Sequence, residues 1–459
     1  MRRRLAAHVL RSTLCLALAA AALPDGPPAA AAETHVLGDL PRRGALGVQF
    51  GPGADGYPVI ATVLPGGSAE AAGLLAGDVI LAVDGADAKP PGALGGAIGK
   101  KRAGDAVRFR VGREGGEQDV EVSLAALPFE QSEEFDVVYD VVESGDARLR
   151  CVLTRPRATE ARLPAVLFVQ GLQCAPVDEP LGKPSTVLQL LHEITRAGHV
   201  VMRCEKEGSG DATGTPCSDI GFREELDGFR AALAKLRRYD FVDSTRVFVF
   251  GHSMGGIEAP MLAAETPVRG VLVFGTGVLP WAEYLVENER RQTRLAPDVD
   301  LVALEARCRD LSDFLHEVFR KRRPIEEVVA ERPDLKTLAD EYWPDGAHCF
   351  GRHLEFYRGL DAVNHAEAWA KVDAPVLAMW GDLDYTTCLA DHEYIAQIVG
   401  SEHPGAATVA VLPNVFHAFN RRDSVQQTLE APWQGPLAPE VVQTVVSWLQ
   451  GQAAPRAAG

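Results

Sequence analysis

In the run Val247-Phe248-Val249-Phe250-Gly251-His252-Ser253-Met254-Gly255-Gly256, four apolar residues lead straight into Gly-x-Ser-x-Gly, and a helix-compatible segment, 257–265, follows. Buried strand, tight turn, helix is the setting of a nucleophile elbow, in which a serine hydroxyl stands exposed above the edge of a sheet. So sharp a turn tolerates only small flanking residues, a condition that Gly251 and Gly255 meet. Ser253 then sits at the tip. The backbone N–H of Met254, at the start of the helix, points toward a developing oxyanion. In a chain with 44 glycines the motif by itself also reads as a glycine-rich strand-to-helix turn, so its weight rests on what surrounds it.

Working outward, strands and helices alternate. Apolar runs at 165–169, 199–203, 270–274, 375–380 and 407–412 read as strands. The segments 186–197, 222–236 and 439–449 read as helices. A leading antiparallel hairpin is expected at 135–142 and 149–153, turning at Ser144-Gly145-Asp146. Continuous apolar strands separated by helices argue for a mostly parallel sheet covered on both faces.

A serine that transfers an acyl group needs a base, a group to orient that base, and donors for the oxyanion. Gly381-Asp382-Leu383-Asp384-Tyr385 follows one late strand, and Pro413-Asn414-Val415-Phe416-His417-Ala418-Phe419 follows the last. Both loops lie at carboxyl ends of strands, where such sheets build their sites. A lone loop histidine is ordinarily a surface residue. The place of His417, between the last strand and the terminal helix, makes it the candidate general base. Asp382 and Asp384 would point the same way in an extended chain, so alternation does not choose between them.

The elbow, this order of elements and the late Asp and His resemble the α/β-hydrolase family over 135–451. The resemblance implies an α/β fold: a doubly wound, mostly parallel sheet with a helical cap between the sixth and seventh strands. Here 281–371 fills that place, charged and helix-forming throughout. It implies the order Ser, acid, His, with the acid as the last residue of Gly-x-x-Asp, hence Asp384, leaving Asp382 to cap the turn. Family members usually carry His-Gly after the third strand. This chain has Gln170-Gly171, so the second oxyanion donor would be the backbone N–H of Leu172, with Gln170 replacing the structural hydrogen bonds of the missing His.

Glu205-Lys206-Glu207-Gly208-Ser209-Gly210-Asp211 resembles the family's glycine-rich loop, which shapes the top of the sheet. Without Gly-Lys-Ser/Thr it is not read as a phosphate cradle. Cys174, Cys217 and Cys388 fall in loops flanking the expected site. A Cys174–Cys217 bridge would brace two of those loops, and free buried thiols are the alternative. In the cap, Trp281, Glu283, Tyr284, Asn288, Arg290 and Arg291 cluster. The two arginines either hold a substrate anion or, as is commoner, pair with Glu287 one turn away.

Residues 33–127 read as a small β-rich domain with strands at 46–50, 58–63, 79–83, 106–111 and 120–124. Gly66-Gly67-Ser68-Ala69-Glu70-Ala71-Ala72-Gly73-Leu74-Leu75-Ala76-Gly77-Asp78-Val79-Ile80-Leu81-Ala82-Val83-Asp84-Gly85 resembles the body of a PDZ domain. Arg43-Gly44-Ala45-Leu46-Gly47-Val48 is similar to the carboxylate-binding loop of PDZ domains in bacterial envelope proteases. The resemblance implies that the N–H groups of Leu46, Gly47 and Val48 hold a peptide C-terminus, which adds as a strand beside 47–50. The alternative is a spacer that docks on its own catalytic domain. The stretch 86–99, where a PDZ has its second helix, is rich in Gly, Ala and Pro, which argues against that helix. Residues 128–134 are expected as a linker to a second domain, 135–459.

The formal net charge of −17 argues against a nucleic-acid partner. Met1-Arg2-Arg3-Arg4, the apolar run 14–23 and the alanines at 29–32 read as a signal peptide, 1–32, cleaved after Ala32. The apolar run is too short for a membrane span of ~20 residues, and Cys15 lacks the setting of a lipoprotein anchor. A secreted or periplasmic location follows. Of eight cysteines Cys15 leaves with the signal, so an odd number remains and at least one thiol stays free or pairs between chains. No Cys-x-x-Cys and no zinc-spaced His/Cys set occurs, so no metal and no cofactor are expected.

The leading reading is an exported serine hydrolase of esterase or peptidase type acting on a small-molecule ester or a peptide. A peptide-binding protein on an inert scaffold and an acyltransferase with the same triad are the alternatives.

Overall fold

A computed structural model of the chain describes residues 34–53, 55–90, 93–157 and 161–453. The expected signal peptide lies outside them. Among the described residues the main sheet has nine strands, in the order Thr34–Val36, Phe135–Ser144, Ala147–Pro156, Val200–Cys204, Leu163–Val169, Val242–His252, Gly270–Phe274, Val376–Gly381, Ala407–Leu412. From Val200–Cys204 onward all neighbours are parallel, and Ala147–Pro156 runs antiparallel to both of its neighbours.

The unbroken apolar runs are explained by burial on both faces. Val247 and Val249 pack with Leu167, Val271 and Val273 under the helices Phe222–Leu236, Gly255–Glu265 and Leu389–Glu402. Phe248 and Phe250 point the other way, with Phe168, Leu272 and Phe274, toward Thr186–Arg196 and Pro439–Ala453. Truncating either buried phenylalanine to alanine costs about 3–5 kcal/mol. No helix among the described residues is long and apolar enough to cross a membrane.

Between Gly270–Phe274 and Val376–Gly381 the chain builds a cap from Trp281–Thr293, Leu301–Leu315, Ile325–Glu331, Lys336–Tyr342, Leu354–Asp361 and His365–Ala370. Its own core includes Trp281, Phe314, Trp343 and Tyr357. The sequence missed a small hairpin in the cap, His348–Cys349 with Arg352–His353.

The N-terminal unit is an antiparallel sheet in the order Val48–Pro52, Pro58–Val63, Val79–Val83, Ala106–Arg113, Gly116–Ser123. Ile60, Ile80, Val107, Phe109 and Val122 form its separate core. The helix that composition argued against does form, as Ala93–Gly99. Leu94, Ala97 and Ile98 share one face and pack into that core, so tertiary burial overrides the poor propensity of three glycines.

The expected domain start at residue 33 is corrected. Thr34–Val36 is a parallel edge strand on Phe135–Ser144, so the first described residues lie on the main sheet, ahead of the N-terminal unit. The segment 128–134 is also no free tether. Buried Glu130 receives two hydrogen bonds from Arg203, at 2.7 and 3.1 Å, and its N–H donates to Tyr139 Oη.

The N-terminal unit and the main domain are locked together by arginines. Arg42, buried, ion-pairs with Asp178 and Asp211 at 2.5 and 2.6 Å, and Arg43 reaches the same two acids. Arg102 donates to the carbonyls of Gly210 and Ala212. The glycine-rich loop 205–212 is thus a contact between the two units.

Candidate active site

The strand Val242–His252 ends one residue before Ser253, and the helix Gly255–Glu265 opens two residues after it. Ser253 has φ +56°, a left-handed conformation that costs a non-glycine residue on the order of 1–2 kcal/mol. The turn is held by Ser253 N–H donating to Phe274 O at 3.0 Å and Gly256 N–H donating to Ser253 O at 2.9 Å. Close packing dictates the flanking glycines. A Cβ on Gly255 would stand 2.0 Å from Val169 O, and one on Gly251 would stand 2.3 Å from Gly255 O.

Asp384 and His417 meet from the loops after Val376–Gly381 and Ala407–Leu412. His417 Nδ1 lies 2.7 Å from Asp384 Oδ2. Thr387 Oγ1 donates to the same oxygen, and the N–H groups of Thr386 and Thr387 donate to Oδ1. Burial disfavours the carboxylate, but His417 and these donors outweigh it and hold the acid below its usual range. Asp384 is therefore ionised and accepts only. Nδ1 of His417 is therefore the donor in this bond, and in a neutral imidazole that tautomer leaves the Nε2 lone pair to take a proton. Asp382 is exposed and instead accepts from the N–H of Asn414 at 2.7 Å.

Ser253, His417, Leu172 and Met254 line one cavity of 930 Å³, walled on the cap side by Trp281 and Tyr284 and at the loop side by Phe416 and Trp433. Among the described residues the N–H groups of Leu172 and Met254 have no acceptor. The loop that carries Leu172 passes close to the serine: a Cβ on Gly171 would lie 3.1 Å from Ser253 Cβ.

Several contributors escaped the sequence reading. His252, inside the elbow motif, bonds the carbonyl of His417 through Nε2 at 2.8 Å. Burial, with His417 close by, drives its pKa down to about 3, so it is neutral and donates. Gly275 has φ +58°, and a Cβ there would stand 2.9 Å from both Asp384 Oδ2 and His417 Nδ1. The Gly275-Thr276-Gly277 run after a buried strand was the available signal. Arg290 does pair with Glu287, and with Glu305. Arg291 does not: it donates to the carbonyls of Tyr385 and Thr386 and so ties a cap helix to the loop of Asp384. Gln170 does not take over a histidine's hydrogen bonds, because its Nε2 is buried without a partner among the described residues.

Cys174 and Cys217 form a disulfide with Cα atoms 5.7 Å apart, joining the loop after Leu163–Val169 to the glycine-rich loop region. The other described cysteines are free thiols.

Leu46, Gly47 and Val48 lie outside this cavity. Gly47 has φ +77°, and its carbonyl accepts from Leu64. Val48 opens the edge strand of the N-terminal sheet. The N–H groups of Leu46 and Gly47 have no acceptor among the described residues.

A parallel sheet with a serine elbow, a cap, and acid and histidine at successive strand ends is an α/β-hydrolase fold. The profile described as "Alpha/beta hydrolase family" matches residues 196–430, more than half of the chain, and the chain belongs to that family. The PDZ domain profile matches residues 44–124. Esterase EstD of Thermotoga maritima is 20% identical over 287 residues, 62% of this chain and 62% of that protein. Among solved structures, Est1E from Butyrivibrio proteoclasticus with bound ferulic acid is 15% identical with a TM-score of 0.44, covering 69% of this chain and 99% of that one. Carboxyl esterase 2 from Tuber melanosporum is 16% identical with a TM-score of 0.43, covering 70% and 87%.

Proposed function

We propose that this chain is an exported serine esterase that hydrolyses a small-molecule carboxylic ester. The observation that carries the reading is the Asp384 carboxylate bonded to Nδ1 of His417, in a cavity shared with Ser253 and two unspent backbone N–H groups. In this mechanism His417 Nε2 takes the proton of Ser253 Oγ as that oxygen attacks the ester carbonyl. The carbonyl oxygen becomes an oxyanion facing Leu172 and Met254 N–H, each such donor being worth ~10²–10³ in turnover. His417 then protonates the departing alkoxide, activates a water molecule, and that water releases the acyl group from Ser253.

Two features support an ester over a peptide substrate. The sequence likeness is to an esterase, and the cavity walls Leu172, Trp281, Tyr284 and Phe416 suit an uncharged acyl or alkyl group. Peptide hydrolysis and acyl transfer would use the same three side chains. A panel of p-nitrophenyl esters of rising chain length, run beside aminoacyl-p-nitroanilides, separates them. Turnover of the anilides alone would overturn the ester reading.

Export is supported by the basic and apolar N-terminal segment and by the Cys174–Cys217 disulfide, which suits an oxidising compartment. Cell fractionation tests it, and activity confined to the cytoplasm would contradict it. For the PDZ region the edge strand Val48–Pro52 and the unspent N–H groups of Leu46 and Gly47 favour capture of a peptide C-terminus. A peptide-library screen on the whole chain should lose its hits when the peptides are C-terminally amidated.

A further inference from the structure

Lys206 and Arg352 are far apart in sequence, the first in the glycine-rich loop and the second in the cap hairpin, yet both end on the loop that carries Leu172. Lys206 Nζ donates to Gly171 O at 2.6 Å, and Arg352 Nη1 donates to Leu172 O at 3.2 Å. Both cations also pair with one carboxylate, Glu225 of the helix Phe222–Leu236, at 2.8 and 2.6 Å. All three side chains are fully buried.

We propose that Lys206 is a positioning residue for catalysis, holding the peptide plane between Gly171 and Leu172 so that the Leu172 N–H faces the reacting carbonyl, while Arg352 fixes the next peptide plane through Leu172 O. The inference rests on the serine-hydrolase reading above. Its geometry follows from the peptide bond. In a trans peptide the C=O of one residue and the N–H of the next point in opposite directions from one rigid plane, and the described chain has no cis bonds. Whatever fixes Gly171 O therefore fixes the direction of Leu172 N–H. Gly171 has no side chain of its own to set that plane, and Gln170, the preceding side chain, leaves its amide nitrogen unbonded.

Stability alone does not account for the arrangement, since buried ion pairs are commonly replaceable by apolar residues without loss. A defined oxyanion donor does account for it. The cluster also has a favourable sign. The remaining buried acid beside it, Glu258 of the elbow helix, has its pKa raised by burial and by the charge of Glu225. Burial pulls the Lys206 pKa down while Glu225 counters it. Lys206 and Arg352 converge on the single carboxylate of Glu225 behind the oxyanion loop, an arrangement that favours negative charge forming in front of it.

Lys206→Met tests the proposal. It leaves Glu225 and Arg352 as a balanced pair, so no unmatched charge is created. Active sites are first counted by stoichiometric fluorophosphonate labelling, so that misfolded enzyme does not enter the rate. Per labelled site, kcat on a p-nitrophenyl ester should fall ~10²-fold with KM within about threefold. Inhibition by phenylboronic acid, whose tetrahedral adduct needs the same donor, should weaken in step with kcat/KM. Lys206→Gln, which keeps a neutral donor, covers the case in which the methionine variant fails to fold, and its kcat per site should lie between the two. A kcat per site at the wild-type level, or a change confined to KM, overturns the positioning role while the hydrolase reading stands. A wild type that neither labels nor turns over any ester removes the hydrolase reading and this inference with it.

Discussion

Asp384 and His417 share a 2.7 Å hydrogen bond, although each comes from a different loop. Asp382, two residues before Asp384, is spent on the Asn414 N–H. The two aspartates therefore differ in consequence. Asp384→Asn keeps the shape but favours the wrong imidazole tautomer, and turnover should fall by about 10⁴ with an unchanged circular dichroism spectrum. Asp382→Asn should retain turnover within severalfold and lose some stability at the turn. A dead Asp382→Asn beside an active Asp384→Asn would reverse the assignment.

The Arg42 cluster should decide how firmly the N-terminal unit sits. Arg42 is buried between Asp178 and Asp211, and both acids pair with it closely. Arg42→Ala leaves two buried carboxylates short of a partner, a loss of about 3–5 kcal/mol. Urea unfolding should shift to lower midpoint, and limited proteolysis should begin to cut within 128–134. Wild-type resistance in the variant would show that Arg43 and Arg102 suffice for docking.

Glu205 makes stability fall as pH rises from 4.5 to about 8. Burial, with Asp178 nearby, pushes its pKa from the ordinary 4.5 up to about 8. Between those values the folded chain holds the proton and the unfolded chain has lost it, so stability is full below pH 4.5. It declines as pH rises to about 8, by at most ~1.4 kcal/mol per unit. Glu205→Gln keeps an acceptor for the N–H groups of Asp211 and Ala212 and removes the titration. The variant should gain stability relative to wild type between pH 5 and pH 8 in chemical unfolding. A difference that does not change with pH would contradict the assignment.

The Cys174–Cys217 bridge closes a separation of 43 residues. By loop-closure entropy its removal costs about 4 kcal/mol. Cys174→Ser/Cys217→Ser and dithiothreitol-treated wild type should show the same lowered urea midpoint. If reduction leaves the midpoint unchanged, the bridge adds nothing to stability.

Much of the architecture was legible because burial writes itself into periodicity. The strands 270–274 and 407–412 and the helix 222–236 coincide with their apolar patterns. What stayed hidden depends on partners far along the chain. Thr34–Val36 is short and has no apolar run, and it becomes a strand only through backbone pairing with 137–139. Arg291 has a suitable acid one turn away, yet the cap places it over the carbonyls of 385 and 386. Lys206 lies in the glycine-rich loop, but no motif links it to Glu225 or Arg352. Only the seating of the cap hairpin brings them onto one loop.

Ser253 is proposed as the nucleophile of a hydrolytic site. Intact-protein mass spectrometry after fluorophosphonate treatment tests it most directly. Wild type should gain one adduct, mapped to Ser253 by peptide sequencing, with ester turnover lost in proportion, and Ser253→Ala should gain none and turn over no ester. An adduct of equal stoichiometry on Ser253→Ala, or undiminished hydrolysis by that variant, would contradict the account.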